Sequence, residues 1–199
     1  MKRISFKDNG GLNLTQAVLD GRKTMTRRAV IEQVEKDAMV RSSLCGTFDL
    51  MRREKIAYIL NHSPYKVGEV VAIQQAYKDT FKEFFGEVDF TKNKLRGTAG
   101  WTNKMFVSAS LMPHHIRITD VKVERLQDIS DENCLREGVI KKLGFFTMGV
   151  LIHNYTFTGC NSSYQNPRAA FAALIDKVSG RGTWQENPLV WAYSFELVD

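Results

Sequence analysis

The chain has 199 residues, 43% of them hydrophobic, 11% aromatic and 25% charged, with a formal net charge of +6. That composition excludes a disordered chain, and no run approaches the ~20 apolar residues that cross a bilayer, so the length predicts one domain with a core of its own. The charge is uneven: residues 1–66 hold thirteen Lys and Arg against seven Asp and Glu, whereas residues 67–199 hold fifteen of each.

In chain order, Ile4-Ser5-Phe6 predicts a short edge strand. Residues 12–20 read as a short helix with Leu14, Ala17 and Val18 on one face, stopped by Gly21, which tolerates positive φ. Residues 22–31 alternate like a strand but carry polar groups on both faces. Residues 32–62 mix charged and apolar positions, with a helix expected over 49–60. A turn at 65–69 leads into a run rich in β-branched residues, Val70 to Tyr77, which predicts an inner strand. Residues 78–112 are polar, aromatic and irregular, and read as an insertion. Ile116 to Leu126 is the longest predicted strand, and its apolar phase slips by one residue near Thr119-Asp120, as at a β-bulge or barrel corner.

Ser130 caps a further helix that ends at Gly138. Asn166 caps another, with Pro167 at its first position and Phe171, Leu174, Ile175 and Val178 at helical spacing, up to Gly180. Leu189 to Leu197 alternates as a half-buried closing strand. About five strands, helices between them and no β-α-β-α rhythm predict an α+β fold, a small, mostly antiparallel barrel with helices packed outside it.

Cys45, Cys134 and Cys160 are odd in number and far apart, so neither a disulfide framework nor a paired zinc spacing is visible. His62, His114, His115 and His153 make no ligand-spaced cluster with them. A reducing, cytoplasmic setting without metal or cofactor is expected, and the polar start of the chain lacks a signal-peptide core. Cys134, Cys160, His114 and the aromatics Phe81, Phe84 and Phe85 are expected to pack a core or anchor a loop; Phe84-Phe85 has a lid or an oligomer contact as its other reading.

The segment Gly21-Arg22-Lys23-Thr24-Met25-Thr26-Arg27-Arg28 resembles the G-x-K-x-x-T-x-R signature of ASCH domains, small barrels related to the PUA RNA-binding fold. Three further blocks follow in order: Tyr65 to Val71, Ile116 to Gly138, and Gly182 to Trp191, the last two similar to the phage and prophage branch of that family. The resemblance implies a single PUA-like domain over 1–199 with insertions at about 32–62, 78–112 and 141–165. One departure is Gln74-Gln75, where related chains often carry Arg-Glu.

Two functions follow from the resemblance. PUA-like barrels commonly bind RNA, and one branch of ASCH domains removes the acetyl group from N(4)-acetylcytidine with a Lys, a Thr and a Glu. Motif position carries those roles to Lys23, Thr26 and Glu137. A Thr hydroxyl needs a base, and a Lys serves only if burial or cationic neighbours depress its pKa, as Arg22, Arg27 and Arg28 would help to do. Glu137 is expected either to shuttle the proton to the leaving amine or to pair with Lys23 and oppose that depression. Lys23 and Thr26 are three apart and would face opposite ways in a regular strand, whereas Thr24 shares the face of Thr26. Amide hydrolysis therefore requires the segment to turn.

RNA or nucleoside binding asks for less. Arg22, Lys23, Thr24, Arg27 and Arg28 form a candidate phosphate seat, with Tyr77 or Trp191 to stack a base, Trp191 being better placed for the core. Binding of RNA or a modified nucleoside is the leading expectation, amide hydrolysis the second, and a phage-derived protein-binding scaffold the third. The bland alternative for Lys23 and Arg28 is a solvated surface position or a structural ion pair, and for Glu137 an ordinary exposed helix end.

Overall fold

The computed structural model of the protein describes residues 1–80, 94–147 and 150–198. Phe81, Phe84 and Phe85 lie outside the described residues. The architecture is α+β, built on a five-stranded sheet in the order β1-β3-β4-β7-β2. Its strands are β1 (Arg3–Ile4), β2 (Met25–Ala29), β3 (Val70–Ile73), β4 (His115–Arg125) and β7 (Leu189–Leu197). All pairings are antiparallel except β1 with β3. The strand expected over Val70 to Tyr77 stops at Ile73.

The phase slip in β4 is a bulge. Ile118 lies opposite Phe195 and Asp120 opposite Ser194, so Thr119 is the extra residue. On either side of it, alternate residues such as Ile116, Ile118 and Val121 still reach the core.

The sheet is not a closed barrel. Among the described residues β1 and β2 are its two edges, and no backbone ladder joins them. The physical reason lies in the edge strands themselves. β1 is two residues long and ladders only with β3, and the chain then leaves it toward α1 (Leu14–Leu19). What crosses the gap is a side chain: Arg28 of β2 donates through Nη2 to the carbonyl of Ser5, just beyond β1.

Helices cover this sheet. The helix expected over 49–60 is α3 (Phe48–Asn61), and the mixed stretch before it forms a second helix, α2 (Glu32–Ser42). α4 (Asp131–Arg136) begins where Ser130 accepts from the Asn133 N–H at 3.2 Å. β5 (Val139–Thr147) and β6 (Val150–Phe157) pair as a separate antiparallel two-stranded sheet, mostly within the stretch at 141–165 read as an insertion. α5 (Pro167–Ser179) starts at Asn166, whose side chain accepts from the Ala169 N–H at 2.8 Å. It is followed by the single-turn α6 (Thr183–Glu186). α5 buries Phe171, Leu174 and Ile175 in the main core with Trp191, Tyr193 and Ile118. Trp191 faces that core and donates through Nε1 to the carbonyl of Ile59 at 3.0 Å. No helix among the described residues is long and apolar enough to cross a membrane.

Candidate functional site

The chain between α1 and β2 is a turn before it becomes a strand. Gly21 adopts φ +70°, a conformation that favours glycine. The Lys23 N–H then bonds back to Ala17 O at 2.8 Å, and the Thr24 N–H crosses to Arg136 O at 2.9 Å. The ladder with β7 begins only at Met25. Strand alternation therefore does not govern Lys23, and the objection that Lys23 and Thr26 must face opposite ways lapses. Both line one cleft, together with Glu137.

Lys23 is 3% exposed, and its ammonium has three partners: Met25 O at 2.7 Å, Glu137 O at 2.8 Å and Glu137 Oε2 at 2.5 Å. Glu137 follows the last residue of α4, so Lys23 caps a carbonyl that the helix end leaves unpaired. Glu137 is itself buried, and its second oxygen accepts from Arg27 Nη1 at 3.0 Å. Arg27 turns its other edge to Glu124 Oε1, with Nε at 2.9 Å and Nη2 at 2.6 Å. Two cations and two carboxylates thus form one chain, buried except at Glu124, which is half-buried. Gly138 comes next, at φ +109°, and a side chain there would touch Leu14 and the stem of Lys23.

Burial pushes the Lys23 ammonium below the usual lysine range. Glu137 opposes this through charge and hydrogen bond, whereas the positive charges of Arg28 and Arg27 add to it. Cys134, on the buried face of α4, has its thiol pushed up to about 12, chiefly by burial, which makes it an inert core residue.

The cleft encloses about 1420 Å³ and lies between the two edges of the sheet. Residues 5–8 beyond β1 form one wall, and Thr26 to Ala29 of β2 form the other. Phe171 and Leu174 of α5 add apolar surface, and Gln75 and Asn103 add amides. Thr26 is buried, and no described residue hydrogen-bonds its hydroxyl.

No family model matches the sequence, and no curated protein matches it. Among solved structures, the crystal structure of a DUF984-family protein from Enterococcus faecalis V583 aligns with all of this chain and 77% of its own. The identity is 15% and the TM-score 0.40.

The remaining sequence candidates are scattered. Arg22 is exposed and paired with Asp20 at 2.7 Å. Thr24 accepts from Arg136 Nε at 3.1 Å. Arg28 is half-buried on the cleft wall. Tyr77, the candidate for base stacking, lies instead in a second core cluster with Ala72, Val107 and Met112, and its hydroxyl accepts from the Ser108 N–H at 2.7 Å. Of the five residues read as a phosphate seat, Lys23 and Arg27 are therefore buried and spent on carboxylates. Among the described residues no cluster of three His, Cys, Asp or Glu could hold a metal ion.

Sequence reasoning assigned no role to Glu124 or Gln75. Glu124 reaches Arg27 only because β7 separates β4 from β2: Glu124 lies opposite Val190, and Val190 opposite Ala29. That neighbourhood requires the strand order, which no local pattern encodes.

Proposed function

We propose that the cleft is the active site of an amidohydrolase of ASCH type, which removes the acyl group from an acylated, cytidine-like nucleoside. The observation that carries this reading is the buried Lys23–Glu137 pair at the floor of a cleft that Thr26 also lines. The lowered Lys23 pKa supports easier loss of a proton from this ammonium than from an exposed lysine. On losing its proton, Lys23 keeps two donors for its three acceptors and gains a lone pair. That lone pair takes the Thr26 proton as Oγ adds to the acyl carbonyl. Collapse breaks the C–N bond, and the exocyclic amine leaves with the proton held by Lys23. Water then cleaves the threonyl ester, releasing the acid and restoring Thr26. Glu137 acts as a positioning residue that fixes the Lys23 nitrogen through two oxygens.

Binding without turnover is the second reading, and one observation favours it: all three Lys23 donors are engaged, none with Thr26. A nucleoside or the end of an RNA would then occupy the cleft, with Arg28 and the exposed Lys78 on its walls to meet a phosphate. A protein-binding role would draw on different residues, the exposed Met39, Val40, Leu44 and Phe48 around α2 and α3.

Incubation with N(4)-acetylcytidine, following cytidine and acetate, separates the first two. Hydrolysis is expected to release both products and to fall at least about 100-fold in Lys23→Ala and in Thr26→Ala. Saturable binding with no product would leave only the binding reading. Turnover unaffected by either change would refute the residue assignment.

A further inference from the structure

Two buried side-chain atoms among the described residues have no hydrogen-bond partner, Gln75 Oε1 and His153 Nδ1, and of these only Gln75 lines the cleft. Gln75 follows the end of β3 and is 9% exposed. Its backbone N–H donates to Met112 Sδ at 3.4 Å, while no described residue bonds its side-chain amide. The neighbouring Gln74 is also buried but donates through Nε2 to the carbonyl of Lys104 at 3.1 Å. One glutamine is thus built into the wall, and the other has its Oε1 held out of water with nothing to bond.

Buried amides are almost always paired, because a lost partner is not replaced by water. Turning the amide over would exchange its oxygen and nitrogen, yet the buried end would still lack a partner. We infer that the missing partner is the ligand, and that Gln75 reads its base. A carboxamide presents one acceptor and one donor side by side in a plane. It matches an edge on which an N–H adjoins a bare ring nitrogen, as in cytosine and its N(4)-acyl derivatives. Gln75 Oε1 accepts the exocyclic N–H, and Nε2 donates to the ring nitrogen beside it. The acyl group on that exocyclic nitrogen then faces the rest of the cleft, where Thr26 and Lys23 lie. This assignment rests on the nucleoside reading and adds the group that selects the base.

Two measurements on the full chain test it. In the first, thermal unfolding without ligand compares the protein with Gln75→Leu. A carboxamide reserved for ligand costs the free protein stability, so the variant is expected to melt higher; a lower melting temperature would show a structural role and overturn the proposal. In the second, calorimetry compares N(4)-acetylcytidine with its N(4)-methylated derivative, which lacks the N–H. The protein is expected to prefer the first by tenfold or more, and Gln75→Leu to lose that preference. If both compounds bind equally, or the preference survives in Gln75→Leu, Gln75 does not read the base although the nucleoside reading stands. Binding of neither compound would remove the nucleoside reading, and with it the edge assigned here.

Discussion

At the residue scale the site is governed by one buried amine. Lys23→Met would leave Glu137 with Arg27 as its remaining cationic partner. Breaking a buried pair typically costs 3–5 kcal/mol, and the surviving Arg27 bond places this loss at about 3 kcal/mol, readable by urea denaturation. The pH dependence has a definite sign. Burial lowers the Lys23 pKa, so below the folded value both states are protonated and Lys23 adds no slope. Between that value and the 10.5 of an exposed lysine the unfolded chain binds more proton, so stability rises with pH. The difference in unfolding free energy between the protein and Lys23→Met should therefore widen as pH rises through this window. A constant difference would mean that Lys23 titrates as it would in water.

At the element scale each part of the site is placed by a local stop or start. Asn166 is a clear case: its side chain satisfies the Ala169 N–H and opens α5, which carries Phe171 and Leu174 to the cleft. Asn166→Ala is expected to cost about 1 kcal/mol, measured by chemical denaturation, with the cleft residues unchanged. Features of this kind were legible in the sequence. Ser130, Asn166, Gly138 and Gly180 mark helix ends by local chemistry, and the bulge in β4 follows from a phase slip between Ile118 and Val121. The meeting of Lys23 with Glu137 came from motif position rather than periodicity, since 114 residues separate them. Other features were not legible. α2 carries scattered apolar positions with no distinct stripe, so its helix escapes a periodicity reading. Tyr77 reads as a stacking candidate until the second core cluster that buries it is known.

At the scale of the whole molecule, part of the +6 excess in the first third is internal, because Lys23 and Arg27 are buried. Arg22, Lys23 and Arg27 meet Asp20, Glu137 and Glu124, and Arg28 meets a carbonyl. This changes what a salt titration should show. If the protein binds RNA, Arg28→Ala and Lys78→Ala are each expected to reduce the slope of log affinity against log salt by about 1. Arg27→Ala is expected to leave that slope unchanged, because its charge is already matched inside the fold. A slope altered by Arg27→Ala would show that its carboxylate partners release it on binding.

The open seam between β1 and β2 has one more consequence. An unpaired strand edge is a template on which another chain can lay its own backbone, and soluble proteins blunt such edges with charge. β2 carries Arg27 and Arg28 in five residues, one anchored to carboxylates and the other reaching across the seam. Arg28, on the cleft wall, thus also guards it, and the protein keeps an accessible gap in its sheet without offering that gap to its neighbours as a place to aggregate.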